Sequence, residues 1–197
     1  IYDISEDNLN FKEKAGKYID FLNANAYDKE RDVRTNIAGE FQKSNLAAAL
    51  QTAELICGRL DEDKIYEALS QIRISGRMEE IAPGIIVDVS HNIQGMQGFV
   101  QTVEANYHGM KKRILFAASH QNEEEYMKNI LKTIPEIEAF YTVGIHKRRI
   151  DEAEFQDAFR KMIDRNQETT VCFVVGSFYL AGMAKEFINQ EEENVRL

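Results

Sequence analysis

Several kinds of chemistry are missing from this chain of 197 residues. It has no G-x-x-x-x-G-K-[ST], the loop whose backbone N–H groups cradle nucleotide phosphates, so it does not hold phosphates by that device. It has no C-x-x-C pair and no G-x-S-x-G elbow, which argues against a thiol–disulfide centre and against covalent serine catalysis. The two cysteines, Cys57 and Cys172, lie 115 positions apart in apolar settings and read as buried, reduced thiols. His108 and His120 lack acidic or thiol partners at ligand spacing, so no metal site is expected. No apolar run approaches the roughly 18 residues of a membrane span, and no signal peptide is visible. Basic residues are in deficit, 24 against 33 acidic, for a net charge of −9. That balance argues against general binding to nucleic acid or to an anionic membrane. The reading is a cytoplasmic protein whose anionic ligands, if any, are held by local groups.

What is present suits an α/β protein. An apolar content of 44% over this length allows one domain, or one domain and part of another. Residues 1–36 are polar and Asn-rich and do not declare a fold. From Ser44, read as an N-cap, Leu46, Ala49, Leu50, Ala53, Leu55 and Ile56 form a helical stripe ending at Gly58. A second helix is expected over Asp63 to Ile72. After Arg77, strands at 85–89, 113–118, 139–145 and 171–175 alternate with helices at 94–107, 123–133, 152–165 and 178–188. Apolar strands between amphipathic helices predict a Rossmann-like, mostly parallel sheet covered by helices on both faces. The boundary falls near Arg73 to Arg77, giving units 1–73 and 74–197. The charged tail 190–197 is read as frayed. No internal repeat appears.

The most informative stretch is Gly84 to Gly98, GIIVDVSHNIQGMQG, which reads as strand, polar loop and helix start. In an open α/β sheet such a loop lies at a strand's carboxyl end beside helix N–H groups that favour anions. Asp88 ends a buried-type strand, where a carboxylate is costly unless held; the plain alternative is acceptance of hydrogen bonds from the next turn. His91 can reach a phosphate or amine, although a lone loop histidine is more often structural. Asn92 suits a helix cap, a role compatible with substrate contact. Arg77 follows a glycine at the domain junction, where its planar fork suits phosphate oxygens or an interdomain ion pair. Ser177, at a strand-to-helix turn after Gly176, suits either a carboxylate site or simple capping. The run His146-Lys147-Arg148-Arg149 reads chiefly as a solvated loop.

Four segments in order carry a resemblance: Gly39-Glu40-Phe41-Gln42-Lys43-Ser44-Asn45-Leu46-Ala47, Ser75-Gly76-Arg77, Asp88-Val89-Ser90-His91-Asn92, and Gly176-Ser177-Phe178-Tyr179-Leu180. Over about 140 residues they resemble the G-x-x-Q-x-x-N-x-A, P-G-R, D-x-x-H-N-P and G-S-x-Y-L strings of folylpolyglutamate synthase and dihydrofolate synthase, in the Mur ligase superfamily. Ser75 and Ile93 stand where that family has proline, and Phe41 where histidine is common. The resemblance implies the tail of a central ATP-binding ligase domain followed by a C-terminal glutamate ligase domain. The implied reaction adds L-glutamate to a folate carboxylate through an acyl phosphate, with ATP and Mg²⁺. It implies that Asn45, Arg77 and Asp88 face ATP, that Asn92 and Ser177 face glutamate, and that His91 acts near the reacting groups. With Ile1 in place of a methionine and no phosphate loop, the chain reads as a fragment, inactive alone, whose partner is the N-terminal ATPase part of the same protein. Rival readings are a Mur-type peptidoglycan ligase and a non-catalytic nucleotide- or amino-acid-binding α/β module. A phosphoryl-receiver domain is weaker, since the acidic pair and late lysine it requires are not found.

Overall fold

The computed structural model describes residues 40–72, 74–119, 121–146, 149–163 and 169–196. The polar segment at residues 1–36, His120, Lys147 and Arg148 lie outside the described residues. Two compact units meet in the sequence between residues 73 and 74.

In the first unit, α1 (Glu40–Cys57) and α2 (Glu62–Gln71) bury Ala47, Ile65 and Leu69, with Leu46, Leu50, Leu60 and Ile72 packed around them. Asp61 caps α2, its side chain accepting from Asp63 N and Lys64 N at 3.0 and 3.3 Å. Two expectations change here. Ser44 is not an N-cap but lies inside α1, because Glu40, Gln42 and Lys43 favour helix and extend it ahead of the apolar stripe. Cys57 is exposed, at the end of a helix whose last turn also exposes Leu55 and Ile56.

The second unit is built on a sheet of order β1-β2-β7-β3-β4. Strands β2 (Ile85–Asp88), β3 (Lys111–Phe116), β4 (Ile137–Thr142) and β7 (Thr170–Val175) run parallel, and β1 (Glu79–Ala82) pairs antiparallel with β2 at one edge. The pleat sends alternate side chains to opposite faces. Ile86, Ile114, Phe116, Phe173 and Val175 meet α3 (Ile93–Asn106) and α4 (Glu124–Leu131) on one side. Val87, Leu115, Cys172 and Val174 meet α5 (Glu152–Met162) and α6 (Phe178–Arg196) on the other. The fold is therefore the expected α/β sheet covered on both faces. β7 ends between β2 and β3, and its helix leaves toward the face opposite theirs. That reversal is a topological switch point at the carboxyl ends of the strands, the usual ligand position in such folds.

The edge strand β1 was not anticipated; it is four residues long and only partly buried, too short for a clear period-2 signal. The strand expected over 139–145 stops at Thr142, and Ile145–His146 (β5) pairs instead with Arg149–Ile150 (β6) in a small hairpin. The tail does not fray at residue 190: α6 continues to Arg196, since a run rich in Glu, Gln and Asn with no Gly or Pro contains nothing that stops a helix.

Candidate functional site

The site begins with two turns that bring Arg77 and Asp88 together. Gly76 has φ +71°, and a Cβ there would lie 2.7 Å from Cγ1 of Val89, so the turn requires glycine for both its backbone and its close approach. That approach is fixed by Val89 N donating to Gly76 O at 2.8 Å. Met78, with φ +43°, then points its N–H at Asp88 Oδ2, 3.0 Å away. Ser90 N donates to Asp88 Oδ1 at 2.8 Å. Asp88 is buried to 1% exposure at the end of β2. Burial pushes its carboxyl above the usual range, opposed by the Ser90 side chain, the N–H groups of Ser90 and Met78, and the charge of Arg77. The Ser90 hydroxyl, itself buried, lies close to this carboxylate yet makes no well-formed hydrogen bond.

His91 and Asn92 follow in the same loop. His91 Nδ1 lies 2.9 Å from the carbonyl of Val89. Because a carbonyl only accepts, Nδ1 carries the hydrogen, and Nε2 of the neutral ring keeps its lone pair. The imidazole also rests against Phe178, with ring centroids 5.5 Å apart. Asn92 caps α3, its Oδ1 accepting from Gly95 N at 2.7 Å.

Ser177 approaches from the end of β7, whose Val175 is in register with Asp88. Gly176, at φ +109°, passes so close to β3 that a Cβ would lie 2.5 Å from Ala117 O. Ser177 is fully buried, and its Oγ accepts from Tyr179 N at 3.1 Å. Its hydroxyl thus caps the start of α6. Five of the six residues singled out from the sequence, Arg77, Asp88, His91, Asn92 and Ser177, share one edge of one sheet. The sixth, Asn45, is exposed on α1 in the other unit.

Sequence reasoning missed four contributors. Ser90 and Phe178 sit inside the quoted motifs, yet neither residue type announces a role. Glu79 and Lys185 hold the Arg77 turn from outside, and Lys185 is 110 positions from its contact Ser75, beyond any local signal. The basic run contributes His146 and Arg149 to the β5–β6 hairpin. Among the described residues, no three His, Cys, Asp or Glu side chains converge as metal ligands, and no helix is long and apolar enough to cross a membrane.

Fold and site together define a doubly wound α/β domain with a cluster of polar side chains at the carboxyl ends of its strands. This is the fold of the C-terminal portion of folylpolyglutamate synthases. The chain is similar to FolC of E. coli in complex with DHPP and ADP, at 16% identity and TM-score 0.66 over 76% of this chain and 39% of that one. It is similar to the apo form of FPGS from L. casei, at 19% identity and TM-score 0.62 over 77% and 37% of the two chains. It is also similar to the folylpolyglutamate synthase of Mycobacterium tuberculosis complexed with ADP and AMPPCP, at 17% identity and TM-score 0.54 over 79% and 42%. The chain thus spans about two fifths of the length of these structures. No family model and no curated protein matches the sequence.

Proposed function

We propose that this chain is the C-terminal part of an ATP-dependent folylpolyglutamate or dihydrofolate synthase, a cytoplasmic ligase joining L-glutamate to a folate carboxylate. In this reading residues 1–73 close the central ATP-binding domain, residues 74–197 form the glutamate ligase domain, and the phosphate-binding loop is supplied by the rest of the protein. The observation that carries it is the convergence of Arg77, Asp88, His91 and Asn92 beside the Ser177 turn, on the sheet edge where such folds take ligands.

The residues present suit a nucleotide. The Arg77 guanidinium makes no ion pair among the described residues, the buried Ser90 hydroxyl lacks a well-formed hydrogen bond, and Asp88 offers a carboxylate suited to a ribose hydroxyl. When bound, ATP supplies the phosphoryl group that activates the acceptor carboxylate. Arg77 then steadies phosphate charge and Asp88 fixes orientation. In this reading His91, its Nδ1 engaged by the Val89 carbonyl, uses Nε2 to accept a proton from the incoming ammonium of glutamate. Asn92 and the Ser177 turn receive the carboxylates of that glutamate. Among the described residues no three His, Cys, Asp or Glu side chains cluster as ligands for Mg²⁺.

The test is folate- and ATP-dependent incorporation of labelled glutamate by the whole protein, beside Asp88→Ala and His91→Ala. Incorporation that falls in both variants, His91→Ala by about 10²-fold, supports the reading. A folded wild type that incorporates no glutamate onto any folate sinks it and favours a Mur-type acceptor or a binding module.

A further inference from the structure

The turn that presents Arg77 is held from outside by one side chain of α6. Lys185 Nζ lies 2.7 Å from Ser75 Oγ and 2.7 Å from Glu79 Oε2. The same Glu79 oxygen accepts from Gly76 N at 2.6 Å. One cation and one carboxylate therefore tie down Ser75 and Gly76, immediately before Arg77, and anchor the first residue of β1. The chain from Gly76 to Asp88 is then closed by Val89 N on Gly76 O and Met78 N on Asp88 Oδ2. The far end of this linkage is the helix that Ser177 starts.

The clamp is not a generic surface ion pair. Lys185 and Glu79 are each about one third exposed, and each makes a second hydrogen bond to the turn. The turn it holds needs support: Met78 takes φ +43°, a conformation that a residue other than glycine keeps only when its surroundings enforce it. Burial would raise the Glu79 carboxyl, but the hydrogen bonds of Lys185 and Gly76 outweigh it and hold that group below its ordinary value of 4.5.

We propose that Lys185 is a positioning residue: through Ser75 and Glu79 it fixes the Gly76–Arg77–Met78 turn and couples the Arg77–Asp88 side of the carboxyl edge to the Ser177 helix. The clamp itself is local geometry. Its consequence for nucleotide rests on the ligase reading above.

The experiment separates the two. Amide hydrogen exchange is followed at Gly76, Met78 and Phe173 in the whole chain, for wild type, Lys185→Met and Lys185→Arg. Exchange at Gly76 and Met78 is expected to rise about tenfold in Lys185→Met, with Phe173 in the central strand unchanged and partial recovery in Lys185→Arg. In the complete protein, the KM for ATP is expected to rise about five- to tenfold in Lys185→Met with a smaller change in kcat. Wild-type protection of Gly76 and Met78 in Lys185→Met overturns the clamp. Lost protection with an unchanged KM for ATP leaves the clamp standing and overturns its role in positioning Arg77. A wild type without nucleotide-dependent activity overturns the ligase reading instead.

Discussion

The two ends of the central sheet both carry buried charge, and they treat it oppositely. At the amino ends of the strands, Lys112 is wholly buried, yet its Nζ meets the carbonyl of Met110 at 2.8 Å and Glu136 Oε2 at 3.0 Å. Beside it Arg113 pairs with Glu138 at 2.9 Å and donates to the carbonyl of Met162 at 3.1 Å. Each cation there ends on an opposite charge and a backbone oxygen, which is how a fold closes a charged edge. At the carboxyl ends Asp88 is held by N–H groups rather than by a salt bridge, and the nearby Arg77 pairs with no carboxylate among the described residues. Buried charge held by N–H groups, with no close ion pair, is the arrangement we propose for a ligand at this edge. Burial of charge alone does not locate a site; the way the charge is satisfied does.

The largest effect is expected where backbone geometry supports the carboxyl edge. Gly176→Ala places a Cβ 2.6 Å from the Phe116 ring at a φ of +109°, and urea unfolding of the chain should show a loss of about 2–4 kcal/mol. At the opposite edge, Lys112→Ala removes a buried stem and leaves the Met110 carbonyl without its donor. The same measurement should show about 2–3 kcal/mol lost, with glutamate incorporation per folded molecule retained.

Titration sharpens the contrast further. A raised Asp88 pKa means the folded chain binds that proton more tightly than the unfolded chain, whose ordinary value is 3.8. Its contribution to stability therefore falls as pH rises from that value through the folded midpoint, then stays level. Glu79 has the opposite sign: its lowered pKa adds stability that is present above its unfolded value of 4.5 and lost as pH falls through the folded midpoint. Carboxyl carbon shifts followed by NMR should place the Asp88 midpoint above 3.8 and the Glu79 midpoint below 4.5. An Asp88 midpoint below its ordinary value would show the carboxylate stabilised as a structural anion and erase the distinction between the edges. The smallest effect belongs to Lys111→Ala, which breaks an exposed 3.4 Å contact with Glu138 and should change stability by less than about 1 kcal/mol.

Much of this architecture was legible because it rests on periodicity. The runs Ile85–Val87, Ile114–Phe116 and Val171–Val175 are apolar on both sides, as a doubly covered sheet demands, and Asp88-Val89-Ser90-His91-Asn92 breaks that pattern abruptly. What escaped depends on long-range partners or on signals too short to read. β1 is a strand because β2 offers it an edge, the β5–β6 hairpin because Ile145 and Ile150 find each other across a basic turn. Cys57 looks apolar in sequence yet ends a helix on its open side. Ser177 was legible as a cap, but its complete burial follows from Gly176 pressing against β3.

The most direct test of the central claim neutralises one arginine at each edge, Arg77→Gln and Arg113→Gln, in the complete protein. Unfolding stability and glutamate incorporation per folded molecule are measured on both. The account predicts a crossed result: Arg77→Gln retains stability and loses incorporation at least about tenfold, while Arg113→Gln loses stability and retains incorporation. Equal loss of incorporation in both, or retention in Arg77→Gln, would contradict the assignment of the carboxyl edge to the ligand.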